Sequence, residues 1–371
     1  MKSSTLFLAI ASCLLNTVSA STNSTLDAIV ESADANIRAI LEARTSDSSA
    51  TCTSNNVAVR KEWSALSSTE KTEYITAVKC MMSTTAITPL SAAPGVRSRF
   101  DDFGALHVNQ TASIHWTSNF FTWHRYYTWL YEKVLRDECG YTGYQPYWDW
   151  SSTDTLEAHP LFDGSDTSLS GNGEAVVHSS YVLIPTPTVL NSTTESGTGG
   201  GCLTSGPFAN LTVNLGPHGS PVSDGLAYNP RCLTRDFRND ALVADLNYDA
   251  VTAVMMKEDL QSYSDLIGAG TGLHAAGHTA QGGFQDDLWA SAQDPAFVFH
   301  HGQVDRVWSI WQAINQTVRT QEVSDTLTIK DSPASAKGTL ETVVSMGFLA
   351  DDMTIGQLSS TIDGPFCYIY A

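Results

Sequence analysis

Between Ser24 and Arg44 the apolar positions Leu26, Ile29, Val30, Ala33, Ile37, Ile40 and Leu41 recur at helical spacing, which predicts an amphipathic helix. Ser67 and Glu70 form a capping-box pattern ahead of Tyr74, Ile75, Val78 and Met81, so a second helix is predicted to begin near Ser68. Asn119 to Glu138 contains neither Gly nor Pro and stops at Gly140, as a third helix would. Asp294 and Pro295 supply N-cap and first-turn signals for a fourth, running to about Asn315. Ser151 to Arg235 follows no period and is rich in Gly, Ser, Thr, Pro and Asn, which predicts loop with short strands at most. So long an irregular stretch is either the wall of a substrate funnel or an elaborated surface loop. No internal repeat is visible, and the expectation is a mainly α protein with long irregular loops and few short strands.

Residues 1–20 change the picture of where the protein works. A basic Lys2, an apolar run from Leu6 to Leu15 and small residues ending at Ala20 make a secretory signal peptide, with a run shorter than the ~20 residues that cross a bilayer. The expected product is residues 21–371, one domain, secreted and extracellular, with no membrane span. Cys52, Cys80, Cys139, Cys202, Cys232 and Cys367 then form an even set that predicts three disulfides, Cys202 with Cys232 being the one pair singled out. Sequons at Asn23, Asn109, Asn191, Asn210 and Asn315 fit the same route and predict a glycoprotein. The formal charge of −19 argues against nucleic acid or an anionic membrane as partner. The sequence is silent on oligomeric state.

Six of the ten histidines fall into two sets of three: His107, His115 and His124, then His274, His278 and His301. Neutral imidazoles without a carboxylate suit copper, zinc, iron or nickel and leave the metal room for a small molecule. His115 and His124 are too far apart to share a helical face, so His115 is expected in the turn leading into the helix of His124. His274 and His278 are spaced i, i+4, which puts both rings on one face. His300 and His301 point about 100° apart on a helix, so only one of them can join that pair. His159, His178 and His218 are expected to be structural. Arg125, Glu132, Asp305 and Arg306 are candidates to hold ligand imidazoles from outside, Asp305 foremost. Tyr126, Trp129, Trp148, Trp150, Trp308 and Trp311 are expected in the core. No H-E-x-x-H occurs, which disfavours a zinc hydrolase.

The contexts are DDFGALHVNQTASIHWTSNFFTWHRYYTWLYEKVLRDE for the first set, and TGLHAAGHTAQGGF with DPAFVFHHGQVDRVWSIWQ for the second. They closely resemble the tyrosinase and polyphenol oxidase family, over roughly Asp101 to Asp149 and Thr271 to Gln312. The resemblance implies a helical bundle core holding two copper ions, one bound by His107, His115 and His124, the other by His274, His278 and, of the adjacent pair, His301. Phe297, one turn before His301, would set that ring's plane. The implied activity is use of O2 to oxidise o-diphenols or o-aminophenols to o-quinones or quinone imines, with small phenols as substrates.

Ser113 stands where many relatives carry a cysteine joined to the second histidine, so no thioether is expected. Ala275 stands where hydroxylating relatives often have Asn, and an acidic partner is open between Asp265 and Glu258, so monophenol hydroxylation is expected to be weak. A true tyrosinase is the alternative within the class. An oxygen carrier of the hemocyanin kind is the alternative outside it, disfavoured because such carriers are large assemblies. Tyr368-x-Tyr370 resembles the motif that closes the family's catalytic core, and no C-terminal inhibitory domain is expected after it.

Overall fold

A computed structural model of the protein describes residues 25–178, 180–184, 190–194, 196–217 and 224–371. Residues 1–20, for which a signal peptide is predicted, Asn23 and His218 lie outside the described residues. Helix α1 (25–43) buries Leu26, Ala33, Ile37 and Leu41, the stripe the spacing predicts. Helix α2 (Ser68–Ser83) opens on the Ser67–Glu70 capping box, with both reciprocal hydrogen bonds made.

Helix α3 (Arg99–Ile114) is not among the predicted elements. Almost every residue from Arg99 to Val108 is buried, acids included, so the helix has no polar stripe for a periodicity to reveal. Its start is nonetheless local, since Ser98 accepts from Asp101 N and Asp101 accepts from Ser98 N. Asp102, fully buried, takes the N–H groups of Ile87 and Thr88 and the Arg99 guanidinium, so no charge is left unpaired inside.

Helix α4 (Phe120–Asp137) follows, then α5 (Asn239–Asp245), α6 (Tyr248–Met255), α7 (Leu260–Ile267), α8 (Leu273–Gln281) and α9 (Phe297–Ile314). Helix α9 starts later than Asp294 predicts. The Asp294 carboxylate is taken at 2.8 Å by Nε and Nη2 of buried Arg235 and by Ala296 N, and the chain turns once more before helical geometry sets in. Helices α4 and α9 pack along each other, with α3 against α4 and α8 against α9. Gly277 permits that last approach, because a Cβ there would lie 2.1 Å from the His300 ring.

The described strands are short, as predicted, and join only in pairs. They are β1 (Ala58–Arg60), β2 (Gly173–Ala175), β3 (Ser180–Ile184), β4 (Leu190–Thr194), β5 (Gly200–Leu203), β6 (Thr212–Val213), β7 (Arg231–Cys232), β8 (Val343–Val344), β9 (Met353–Thr354) and β10 (Tyr368–Tyr370). Strands β1 and β10 run parallel, Arg60 opposite Tyr370. Disulfides join Cys52 to Cys367, Cys80 to Cys139 and Cys202 to Cys232. No helix among the described residues is long and apolar enough to cross a membrane.

Candidate metal centre

His107 projects from the middle of α3, His115 is the residue that ends it, with extended backbone, and His124 lies on α4. His115 therefore opens the turn between the two helices, where the spacing places it. The three rings meet at centroid distances of 5.2 to 5.9 Å. Each Nδ1 lies 2.8 Å from a carbonyl oxygen: Trp289 for His107, Thr111 for His115 and Phe120 for His124. A carbonyl only accepts, so each Nδ1 carries the proton and each Nε2 turns a lone pair inward. All three Nε2 atoms are buried without a hydrogen-bond partner.

His274 and His278 share one face of α8, their Nε2 atoms 3.2 Å apart. His278 Nδ1 is held at 2.8 Å by Gln285 Oε1. The helix stops at Gly282, whose N–H still reaches the His278 carbonyl and whose positive φ (60°) then turns the chain out of the helix. Both His300 and His301 lie beside this pair, and their nitrogens separate them. His300 is spent within the protein, since its Nε2 meets the His274 carbonyl at 2.9 Å and its Nδ1 accepts from Trp150 Nε1 at 3.1 Å. Neither ring nitrogen of His301 has a partner, although the side chain is buried.

Phe297 lies against His301 at 4.3 Å between ring centroids, as its position one turn earlier predicts, and reaches His107 at 5.0 Å. The two sets touch directly through His124 and His301, which stack at 4.2 Å with planes 9° apart. Phe120 closes another side, 4.9 Å from His124 and 4.8 Å from His274. Burial drives the pKa of His107 down to about 3 and of His278 down to about 4. Burial first, then the neighbouring imidazoles, keep His115, His124, His274 and His301 well below their ordinary value. The rings are thus held neutral, the form in which imidazole donates to a metal. Six unprotonated nitrogens and no carboxylate form a donor set that fits copper.

The carboxylate expected behind an imidazole is elsewhere. Asp305 does lie one turn beyond His301, but its Oδ1 accepts from Arg125 Nε at 2.6 Å and its Oδ2 from Tyr368 and Tyr370 hydroxyls at 2.6 Å each. Two buried arginines claim it, so it ties helices and strands together instead of orienting a ring. Arg125 is used by Asp305, Glu132 takes Arg60 and Gln145 N, and Arg306 lies near Asp149. The groups that do orient imidazoles are three backbone carbonyls and Gln285, and no residue-type signal marks a carbonyl. His159 and His178 are structural, paired with Glu62 and Asp236.

Ala275 is half-buried on α8 and Ser113 is at the end of α3. Asp265 is exposed on α7 with its carboxylate on Gln261 Nε2 at 3.0 Å, and Glu258 is exposed as well. No hydrogen bond joins either acid to the imidazoles of the two sets among the described residues.

Residues 97–314 match the family profile described as the common central domain of tyrosinase. The chain is 44% identical over 297 residues to the tyrosinase-like protein orsC of Emericella nidulans, spanning 75% of this chain and 80% of that one. It is 38% identical over 331 residues to tyrosinase P of Aspergillus terreus, spanning 84% and 91% of the two. A solved structure of a polyphenol oxidase variant from Thermothelomyces thermophila superposes with a TM-score of 0.88 at 38% identity, covering 94% of this chain and 98% of that one. A helical core that gathers neutral imidazoles from both halves of the chain, with these relatives, defines a copper oxidoreductase. The chain belongs to the tyrosinase family, whose copper is of the type-3 kind.

Proposed function

We propose that the protein is a secreted oxidase that binds two copper ions, one on His107, His115 and His124 and one on His274, His278 and His301, and converts o-diphenols or o-aminophenols to o-quinones or quinone imines. The observation that carries the assignment is the set of buried, partnerless ring nitrogens turned inward, beside a His300 whose two nitrogens are already used. Bound copper supplies the chemistry of dioxygen, which accepts the two electrons and two protons each diphenol gives up and leaves as water. The chain's own residues hold position: three carbonyls and Gln285 fix the tautomer of four rings, while Phe297 and Phe120 fix ring planes and exclude water.

Residues 21–371 are read as one catalytic domain, supported by the Cys52–Cys367 bond and by the Asp305 network that bind the flanks to the matched central region. Exposed sequons at Asn109, Asn210 and Asn315 and three disulfides support secretion. Preference for diphenols rests on Ala275. A monophenol, with a pKa near ~10, must lose its proton before it can bind, and a methyl group orients no water to take it. Copper-loaded protein assayed on a catechol and its matched monophenol tests this. Fast catechol oxidation with little monophenol turnover is expected, and comparable rates without a lag would replace the diphenol reading with that of a true tyrosinase.

A further inference from the structure

Left-handed backbone at a residue with a Cβ persists only where its surroundings over-determine it. Three such residues fall on one segment, Asp325 (φ 62°), Lys330 (φ 51°) and Asp331 (φ 53°), and a fourth, Trp116 (φ 51°), lies beneath it, immediately after His115. The tethers are explicit. Asp325 takes Ser264 Oγ at 2.6 Å and Gln261 Nε2 at 3.2 Å from α7, and gives its own N–H to Gln261 Oε1 at 2.9 Å. Thr326 O accepts from Ser118 N at 2.9 Å, and Trp116 O from Lys330 N at 3.1 Å. The segment is therefore a strap, fixed to α7 at one end and to the turn between α3 and α4 at the other.

Trp116 carries the strap to the edge of the centre. Its indole N–H donates to Gly268 O at 2.8 Å, on the glycine-rich stretch that leads into α8, and its ring centre is 6.2 Å from that of His115. His278 and His274 are 8% and 5% exposed, against 0% for His107 and 1% for His301, while Gly270 and Thr271 ahead of them are exposed. Over the outer side of the indole, 4.4 Å from a ring centroid, is the Lys330 ammonium. Among the described residues no carboxylate is within ion-pair distance of it. The acids of the strap are otherwise engaged, Asp325 on α7 and Asp331 with Ser335 N at 2.8 Å. In a chain of net charge −19 this is an isolated cation at a fixed place.

We propose that Lys330, presented over Trp116 by this strap, is a specificity-determining residue that favours phenols carrying a carboxylate on a short side chain, the ring entering toward His274 and His278 while the carboxylate meets the ammonium. This rests on the proposed oxidase site, and its test separates the two. Michaelis constants are measured in copper-loaded protein at low ionic strength for an uncharged catechol, the methyl-substituted one, and for its carboxylate counterpart, dihydroxyphenylpropionate. The proteins compared are wild type, Lys330→Gln, Lys330→Glu and Lys337→Gln, the last an exposed lysine of the same segment that matches the change in net charge. The constant for the uncharged catechol divided by that for the carboxylate should fall about threefold in Lys330→Gln, the size of a screened surface pair, and further in Lys330→Glu, while Lys337→Gln keeps the wild-type ratio. An unchanged ratio in Lys330→Gln, or an equal fall in Lys337→Gln, overturns the proposal. Calorimetric binding of benzoate to the same four proteins reads the site without turnover. Binding weakened by both Lys330 substitutions and kept by Lys337→Gln supports the proposal even if no catechol is oxidised, and equal affinity in all four overturns it.

Discussion

His300 and His301 are adjacent, both buried, and made different by what lies opposite their nitrogens. Removing the His300 ring strands the Trp150 indole N–H, a loss of about 1–3 kcal/mol when buried, and takes a contact from the His274 carbonyl. His300→Ala should therefore lower the melting temperature yet keep the metal content of the wild type, whereas His301→Ala should lose one equivalent. Metal analysis of both variants decides it, and the reverse pattern would hand the role to His300. The pKa depression of the buried rings has a further consequence for the metal-free protein. The folded chain keeps these imidazoles neutral well below their ordinary value of 6.5, so the unfolded chain binds more protons as pH falls from there. Stability should drop steadily between about pH 6.5 and 4, through the folded value of His278 and on toward that of His107. Thermal melts of chelator-treated protein across that range would contradict this if they were flat.

Helices differ in how openly the chain declares them. Helix α2 is legible because its capping box and its Tyr74–Met81 stripe are both local, and α8 because an i, i+4 pair of histidines needs a single helix face. Helix α3 hides, being buried on nearly every side, although Ser98-x-x-Asp101 marks its start to a reader looking for caps. What no local pattern holds is the partner at a distance: the oxygen that orients His107 belongs to Trp289, 182 positions away. Asp305 makes the same point, for a carboxylate one turn from His301 is a sound candidate until Arg125 arrives from α4 and Tyr368 and Tyr370 from β10. Burial pushes its pKa up, but Arg125 and Arg60 outweigh that and hold it low, so it is charged inside the fold. Asp305→Asn would leave the buried Arg125 guanidinium without its counter-charge, Arg60 keeping Glu132, and should cost about 3–5 kcal/mol in urea unfolding. A loss below about 1 kcal/mol would show that α4, α9 and β10 do not depend on it.

One disulfide closes most of the described chain into a single loop. Cys52 and Cys367 are 315 positions apart, and a cross-link over so long a loop removes unfolded-state entropy worth about 5 kcal/mol. Replacing both with serine should lower stability by that order with the oxidase activity of the surviving folded protein intact, as measured by unfolding and by specific activity per folded molecule. An unaltered unfolding midpoint would mean that the β1–β10 pairing and the Asp305 network suffice to close the chain.

One contact crosses the middle of this closed body: the flat stack of His124 on His301. Each ring belongs to a different half of the proposed centre, so an ion that fixes the orientation of one also fixes the seat of the other. Filling the first half prepays ordering that the second would otherwise bear, and linkage makes the effect reciprocal. The two ions should consequently enter as a cooperative pair: at half-saturation the population divides between empty and doubly filled molecules, and the singly filled species stays scarce.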